Sequence, residues 1–303
     1  MTSGILLLNK PPGISSARVL GPLKRCFSPG KIGHTGTLDP FASGLLVVLV
    51  GSGTRLSKWF TALDKQYTAI LRFGEETDTL DPEGSVVATA PIPKESEVRA
   101  VLDSFVGTIE QVPPAYSAIH IDGKRAYERA RKGEVVEIPS RSVTVTDLSI
   151  DPLDPDAGRY RLHVSCTSGT YIRSLARDVG RAAGSVASLE SLERSAVGAF
   201  SLDNAQGRQE ILDAPDPGAF LLSVPEAFPL LPGTRTMTVP ESLEDPLRVG
   251  TPLSRPVMNP LVGELQDLGL DDAPVLLVSS RGRELALCEK DQGRWTYRVV
   301  FPA

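Results

Sequence analysis

At 303 residues and 41% hydrophobic content, the chain can bury a sizeable core and points to two domains. No apolar run approaches a membrane span, and the run at residues 5–8 is too short for a signal-peptide core, so a cytoplasmic setting without membrane association is expected. Cys26, Cys166 and Cys288 are far apart and lack Cys-x-x-Cys spacing, which argues against a disulfide framework or a zinc site.

Residues 5–8 read as a short strand running into the turn Lys10-Pro11-Pro12-Gly13. Ser15 or Ser16 can cap a helix to about residue 25, which Pro22 is expected to kink or break. Residues 45–50 form an apolar run that reads as a buried strand, closed by Gly51-Ser52-Gly53. Thr54 is placed to cap a helix to residue 63. Residues 66–73 alternate, with Tyr67, Ala69, Leu71 and Phe73 on one face of a half-buried strand. An acidic turn region follows at 74–84, then a helix over 96–105 stopped by Gly107. Residues 112–118 read as an extended linker, Asp122-Gly123 as a hairpin-type turn, and 124–132 as a short basic helix ending at Gly133. Strands are expected at 141–150 and 160–166, the second alternating Tyr160, Leu162, Val164 and Cys166. Thr170 is expected to cap a helix to about residue 183, closed by Gly184. Prolines 215, 217, 225, 229 and 232 mark a linker region. Short strands around 237–239, 275–278, 284–288 and 295–301 then suggest a small β-rich domain, with 254–273 a loop-rich insertion.

The stretch that carries chemistry is Gly33-His34-Thr35-Gly36-Thr37-Leu38-Asp39-Pro40-Phe41-Ala42-Ser43-Gly44. Its glycines allow close backbone approach, and Pro40 biases Asp39 towards an extended or turn backbone. Asp39 is the sole acidic residue among the first sixty, which also carry Lys10, Arg18, Lys24, Arg25, Lys31, Arg55 and Lys58. One carboxylate in a basic segment suggests a site that meets a polyanion and keeps one acid for chemistry. The total of −5 hides an uneven distribution: residues 1–60 carry +6, 61–120 carry −6, 121–200 carry +1 and 201–303 carry −6. A basic face built from the first and third segments is compatible with an acidic whole. His34, His120 and His163 are dispersed, so no metal-ligand cluster is evident and no cofactor or metal is expected. Gly51-Ser52-Gly53-Thr54-Arg55 lacks the Gly-Lys of a phosphate-binding P-loop.

The Gly33–Gly44 stretch resembles the catalytic motif of the bacterial TruB family of tRNA pseudouridine synthases. The resemblance continues at Lys10-Pro11-Pro12-Gly13-Ile14-Ser15-Ser16, Lys65-Gln66-Tyr67, Gly169-Thr170-Tyr171-Ile172-Arg173 and residues 189–197, in the family's order. It implies an α+β pseudouridine synthase fold with a mixed, largely antiparallel sheet over residues 1–230, followed by a PUA-like RNA-binding domain over 231–303. The implied reaction is isomerisation of uridine 55 in the T-loop of tRNA. Asp39 would be the nucleophile, kept ionised by a nearby cation. Arg173 is the candidate cation: it sits in the first turn of a helix, where positive charge opposes the dipole, so a partner elsewhere is expected. The resemblance assigns Tyr67 to the target base, Tyr171 and Leu192 to the uracil pocket, and His34 to the gap left by a flipped nucleotide. Residues 115–133, with Lys124, Arg125, Arg129, Arg131 and Lys132, correspond to an insertion that clamps the T-arm. The acidic 74–84 stretch should stay away from RNA, and a monomer is expected.

Three rivals are weighed. A non-catalytic RNA-binding or RNA-folding factor would tolerate loss of Asp39, which this chain keeps. A guide-RNA-dependent synthase should carry partner-binding extensions, and none is evident. An aspartate-nucleophile phosphatase or dehalogenase should have a second aspartate two residues on, where this chain has Phe41.

Overall fold

The computed structural model describes residues 3–117, 120–121, 124–125, 138–267 and 273–301. Its frame is a mixed sheet of eleven strands among the described residues. The main path runs Gln206–Gly207, Gly4–Lys10, Ser43–Val50, Ala187–Val197, Lys65–Phe73, Arg159–Cys166, Arg141–Asp154 and Gly107–Gln111. Two neighbouring pairs are parallel, Gly4–Lys10 with Gln206–Gly207 and Ser43–Val50 with Ala187–Val197; the rest along this path are antiparallel.

Side chains of a strand alternate between faces, and residues opposite each other in an antiparallel pair share a face. Leu71 lies opposite Tyr160, Ala69 opposite Leu162 and Tyr67 opposite Val164. The two alternating patterns therefore merge into one apolar surface. The helices Glu95–Leu102 and Ile172–Ala182 cover it with Val98, Leu102, Ile172, Leu175, Ala176 and Val179. The Ser43–Val50 strand is apolar from Leu45 to Val50, as a strand buried on both faces requires. Leu45, Val47 and Leu49 enter one cluster, while Leu46, Val48 and Val50 pack under the Ser16–Cys26 helix.

The C-terminal unit is a four-stranded sheet in the order Arg235–Thr238, Val275–Val278, Glu284–Asp291, Arg294–Val300. The helix Asn259–Asp267 places Leu261 and Leu265 in its own core, so most of the stretch expected to be loop is structured; residues 268–272 lie outside the described residues. A shared cluster joins this sheet to the first: Leu276, Val278, Leu287, Val299 and Phe301 pack with Leu45, Leu56 and Phe60. The proline-rich segment before it is not a free linker. Leu221 and Leu222 pair with the first strand, and Val224, Ala227, Phe228 and Leu231 enter the shared cluster.

Several local expectations are corrected. The break allowed for at Pro22 does not occur: the residue sits inside one continuous helix, and the Arg18 carbonyl left without its amide belongs to an exposed residue that water can satisfy. Thr54 donates to the Gly51 carbonyl within a 3₁₀ turn, and the α-helix starts later, at Ser57–Ala62. Thr170 donates to the Thr167 carbonyl, and Tyr171 occupies the cap position of the helix that follows. Lys124–Arg125 forms a short strand paired with His120–Ile121, not the start of a helix. The hairpin turn at Asp122-Gly123 and the remainder of the expected helix, 126–133, lie outside the described residues.

Candidate active site

The Asp39 loop leaves the sheet at Ile32–His34 and rejoins it at Ser43, and it is braced by the segment just after the first strand. Ser16 Oγ accepts from Leu38 N and donates to Leu38 O, both at 2.9 Å. Gly13 N donates to Pro40 O at 2.8 Å. Lys10, fully buried, spends its three ammonium protons on the carbonyls of Pro11, Ile14 and Pro40 at 2.9, 2.7 and 3.3 Å. Burial lowers its pKa to about 8, against the pull of Asp39. Gly44, at φ +102°, closes the loop where a Cβ would lie 2.4 Å from the Arg194 carbonyl oxygen, so only glycine fits.

Asp39 thus projects into a cavity of about 410 Å³, lined among others by Tyr67, Tyr171, Arg173, Leu192 and Arg194. Arg173 Nε lies 2.9 Å from Asp39 Oδ2. Its Nη1 lies 3.2 Å from Asp81 Oδ2 and donates to Thr79 O at 2.7 Å, while Nη2 donates to Tyr116 O at 2.9 Å. The guanidinium is 4% exposed and Asp81 5%, whereas Asp39 keeps 35% of its side chain open. Arg173 is therefore a fixed cation between two carboxylates, one sealed and one accessible. Burial raises the Asp39 pKa and Asp81 adds to the rise; Arg173 and Lys10 oppose it. The expected pairing of Arg173 with Asp39 is present, but the cation offsets desolvation without reversing it.

Tyr171 is held at the start of its helix by buried Gln111, whose amide accepts from Tyr171 N at 2.8 Å and donates to Tyr171 O at 3.1 Å. The Arg141 guanidinium stands 5.5 Å from the Tyr171 ring centre. Tyr67 is half-buried at the end of the alternating face of its strand. Burial raises its pKa, and the positive charge of the neighbouring Arg194 works in the other direction.

The structure brings Asp39, Tyr67, Tyr171, Arg173 and Leu192 together around one cavity. His34 stands on the strand leading into the loop, opposite Val48 and outside the lining residues; burial lowers its pKa. The side chains of Lys124 and Arg125 lie outside the described residues.

Three site residues were missed. Asp81, read only as part of an acidic turn that should stay away from RNA, is buried against Arg173. Arg194 is 1% exposed and donates to Leu45 O at 2.8 Å and Gly36 O at 3.0 Å. Lys65 is buried, donates to the carbonyls of Thr61 and Leu63, and has its pKa lowered to about 8 by burial and then by Arg194. A buried cation inside an apolar strand pattern was the available signal for Lys65 and Arg194. Among the described residues, no group of three or more metal-ligating side chains is found, and no helix is long and apolar enough to cross a membrane.

Comparison with known proteins identifies relatives of the chain and of its fold. Residues 24–172 match the family described as TruB family pseudouridylate synthase, N-terminal domain. A protein named tRNA pseudouridine synthase B from Bordetella parapertussis is 47% identical over 236 residues, covering 76% of this chain and 96% of the relative. Its counterpart from Borreliella burgdorferi is also 47% identical, over 206 residues, covering 68% of this chain and 73% of the relative. A chain from a crystal structure of a Cbf5-Nop10-Gar1 complex shares the fold at TM-score 0.67 and 20% identity, over 98% of this chain and 82% of that one. With 47% identity to such relatives over 68% to 76% of this chain and 73% to 96% of theirs, the chain belongs to the TruB family of pseudouridine synthases.

Proposed function

We propose that the protein isomerises uridine to pseudouridine at position 55 in the T-loop of tRNA, with Asp39 as the nucleophile. The observation that carries this reading is the accessible Asp39 carboxylate, 2.9 Å from a sealed arginine, in a cavity walled by Tyr67, Tyr171 and Leu192. The C1′–N1 bond breaks, the base turns, C5 joins C1′, and the C5 proton leaves while N1 gains one. The atoms balance without a redox step. A carboxylate on a recessed loop is beyond the reach of a stacked base, so the target uridine flips into the cavity. Its ring lies between Tyr171 and Leu192. Tyr67 stands against the base and assists proton removal, with Arg194 offsetting the cost of charge on the phenol. Arg173 holds Asp39 ionised as far as burial allows.

The remaining parts of the reading concern the RNA. The basic insertion at 115–133 clamps the T-arm, His34 supports the RNA where the nucleotide has left its stack, and residues 231–303 act as a PUA-like RNA-binding unit attached to the catalytic unit at 1–230. The relatives' shared name, tRNA pseudouridine synthase B, supports tRNA as the substrate over a guided RNA. The protein acts in the cytoplasm as a monomer. The direct test is tritium release from tRNA carrying uridine labelled at C5. Stoichiometric release is expected, and retention of the label on a tRNA that binds tightly would instead favour a non-catalytic RNA-binding factor.

A further inference from the structure

A second concavity, of about 640 Å³, lies between the two sheets. Lys31 and Arg55 reach it from the catalytic side, and Arg248 and Arg283 from the C-terminal unit. Glu284 is the lone carboxylate among its lining residues, and it accepts from Ser52 Oγ at 3.0 Å. Arg55 is committed to the Val300 carbonyl, and Arg248 approaches Glu244 at 3.5 Å. Lys31 and Arg283 are exposed and make no ion pair among the described residues. Four cations thus line a cleft that holds one carboxylate in its lining, with Glu244 beside Arg248 at its edge, although the last third of the chain is acidic overall. Like charges gathered without full neutralisation cost free energy, which a polyanion bound there recovers.

Its position is set by the Ser43–Val50 strand. Gly44 abuts Arg194 at the catalytic end, and Gly51 lines the cleft at the other. Seven steps of about 3.3 Å separate the two glycines by roughly 23 Å. That is too far for the nucleotide in the cavity to reach the cleft. Lys31 belongs to the basic first segment, whose charge the active site does not use beyond Lys10.

We infer that this cleft binds the phosphodiester backbone of the substrate RNA outside the target loop, with Lys31 and Arg283 as its principal contacts. The inference rests on the RNA-substrate reading above. The double substitution Lys31→Gln/Arg283→Gln removes two exposed charges that hold no described ion pair. Full-length tRNA should bind about 10-fold more weakly, with the slope of log affinity against log salt reduced by about 1 to 2. The single-turnover rate at saturating tRNA should be unchanged, because neither residue touches the cavity. A hairpin limited to the arm carrying the target loop should bind both proteins alike. The charge-matched control Lys94→Gln/Arg99→Gln, on an exposed helix of the acidic 61–120 segment, should keep the wild-type slope.

Three results would overturn the inference. They are a wild-type affinity and slope in the double variant, an equal loss in the control, or a cleft that takes up inorganic phosphate while tRNA affinity ignores the substitutions. Failure of the functional reading looks different: the wild type itself would release no tritium from either RNA.

Discussion

Removing Arg173 tests how the site manages its charge. In Arg173→Ala, Asp39 loses the cation 2.9 Å away and faces Asp81 without an intervening charge. Opposite charges about 4 Å apart at an effective dielectric near 20 interact by about 4 kcal/mol. About a third of Asp39 is open to solvent, so roughly half of that, ~2 kcal/mol, is a fair expectation after screening. The wild-type pKa is already raised by burial, and the substitution raises it further. At a pH below both the wild-type and the variant pKa, ~2 kcal/mol corresponds to about a 30-fold smaller ionised fraction and an equally slower chemical step, and the gap narrows at higher pH. As pH rises, Asp39 ionises and the rate should recover, on a profile displaced to higher pH than the wild type's. Arg173→Lys keeps the charge but cannot serve Asp39, Asp81, Thr79 and Tyr116 at once, so it should fall between. The assay is the single-turnover rate with saturating tRNA from pH 6 to 9. A flat profile for the alanine variant, with the loss confined to affinity, would refute the reasoning and make Arg173 a phosphate contact.

Other outcomes follow from neighbouring features. Gly44→Ala places a Cβ 2.4 Å from the Arg194 carbonyl at a φ that L-residues avoid, so chemical denaturation should show a loss of about 3 kcal/mol or more; a loss under ~1 kcal/mol would contradict the close approach. Lys10 has its pKa lowered by burial to about 8 from 10.5, so between those values the unfolded state binds more protons and stability rises with pH. Lys10→Met should remove up to about 3 kcal/mol of that rise between pH 8 and 10.5, and parallel stability curves for the two proteins would rule it out. Neutralising Lys124, Arg125, Arg129 and Lys132 together should weaken tRNA binding and flatten its salt dependence, whereas an unchanged slope would remove the insertion from the RNA.

The parts of the fold that sequence made legible are those where a local pattern has a single physical solution. The alternation at 66–73 and 160–166 can bury its apolar half only as paired strands, and these do pair, Leu71 against Tyr160. The unbroken apolar run after Asp39 requires a strand buried on both faces. Asp39 itself stood out by charge isolation, and Arg173 by its unfavourable place at a helix start. What was illegible depends on long-range contacts. Asp81 looks like any residue of an acidic turn until the chain folds it beneath an arginine 92 positions away. Arg194 and Lys65 read as polar breaks in strand patterns, and their carbonyl partners at Leu45, Gly36 and Thr61 become visible only in the tertiary structure. The expected cap at Thr170 failed for the same reason: Gln111, 60 residues earlier, holds both backbone groups of Tyr171, which takes the cap position instead.

The central claim, that Asp39 makes pseudouridine at position 55 of tRNA, is tested most directly by mapping pseudouridine in tRNA after a single turnover with wild type and Asp39→Asn. The carboxylate supplies the reacting electron pair while separate basic residues hold the RNA. Conversion is therefore predicted at uridine 55 with the wild type and none with Asp39→Asn, whose tRNA affinity stays within a few-fold. Near-wild-type conversion by Asp39→Asn, or conversion at another uridine with 55 untouched, would contradict the account.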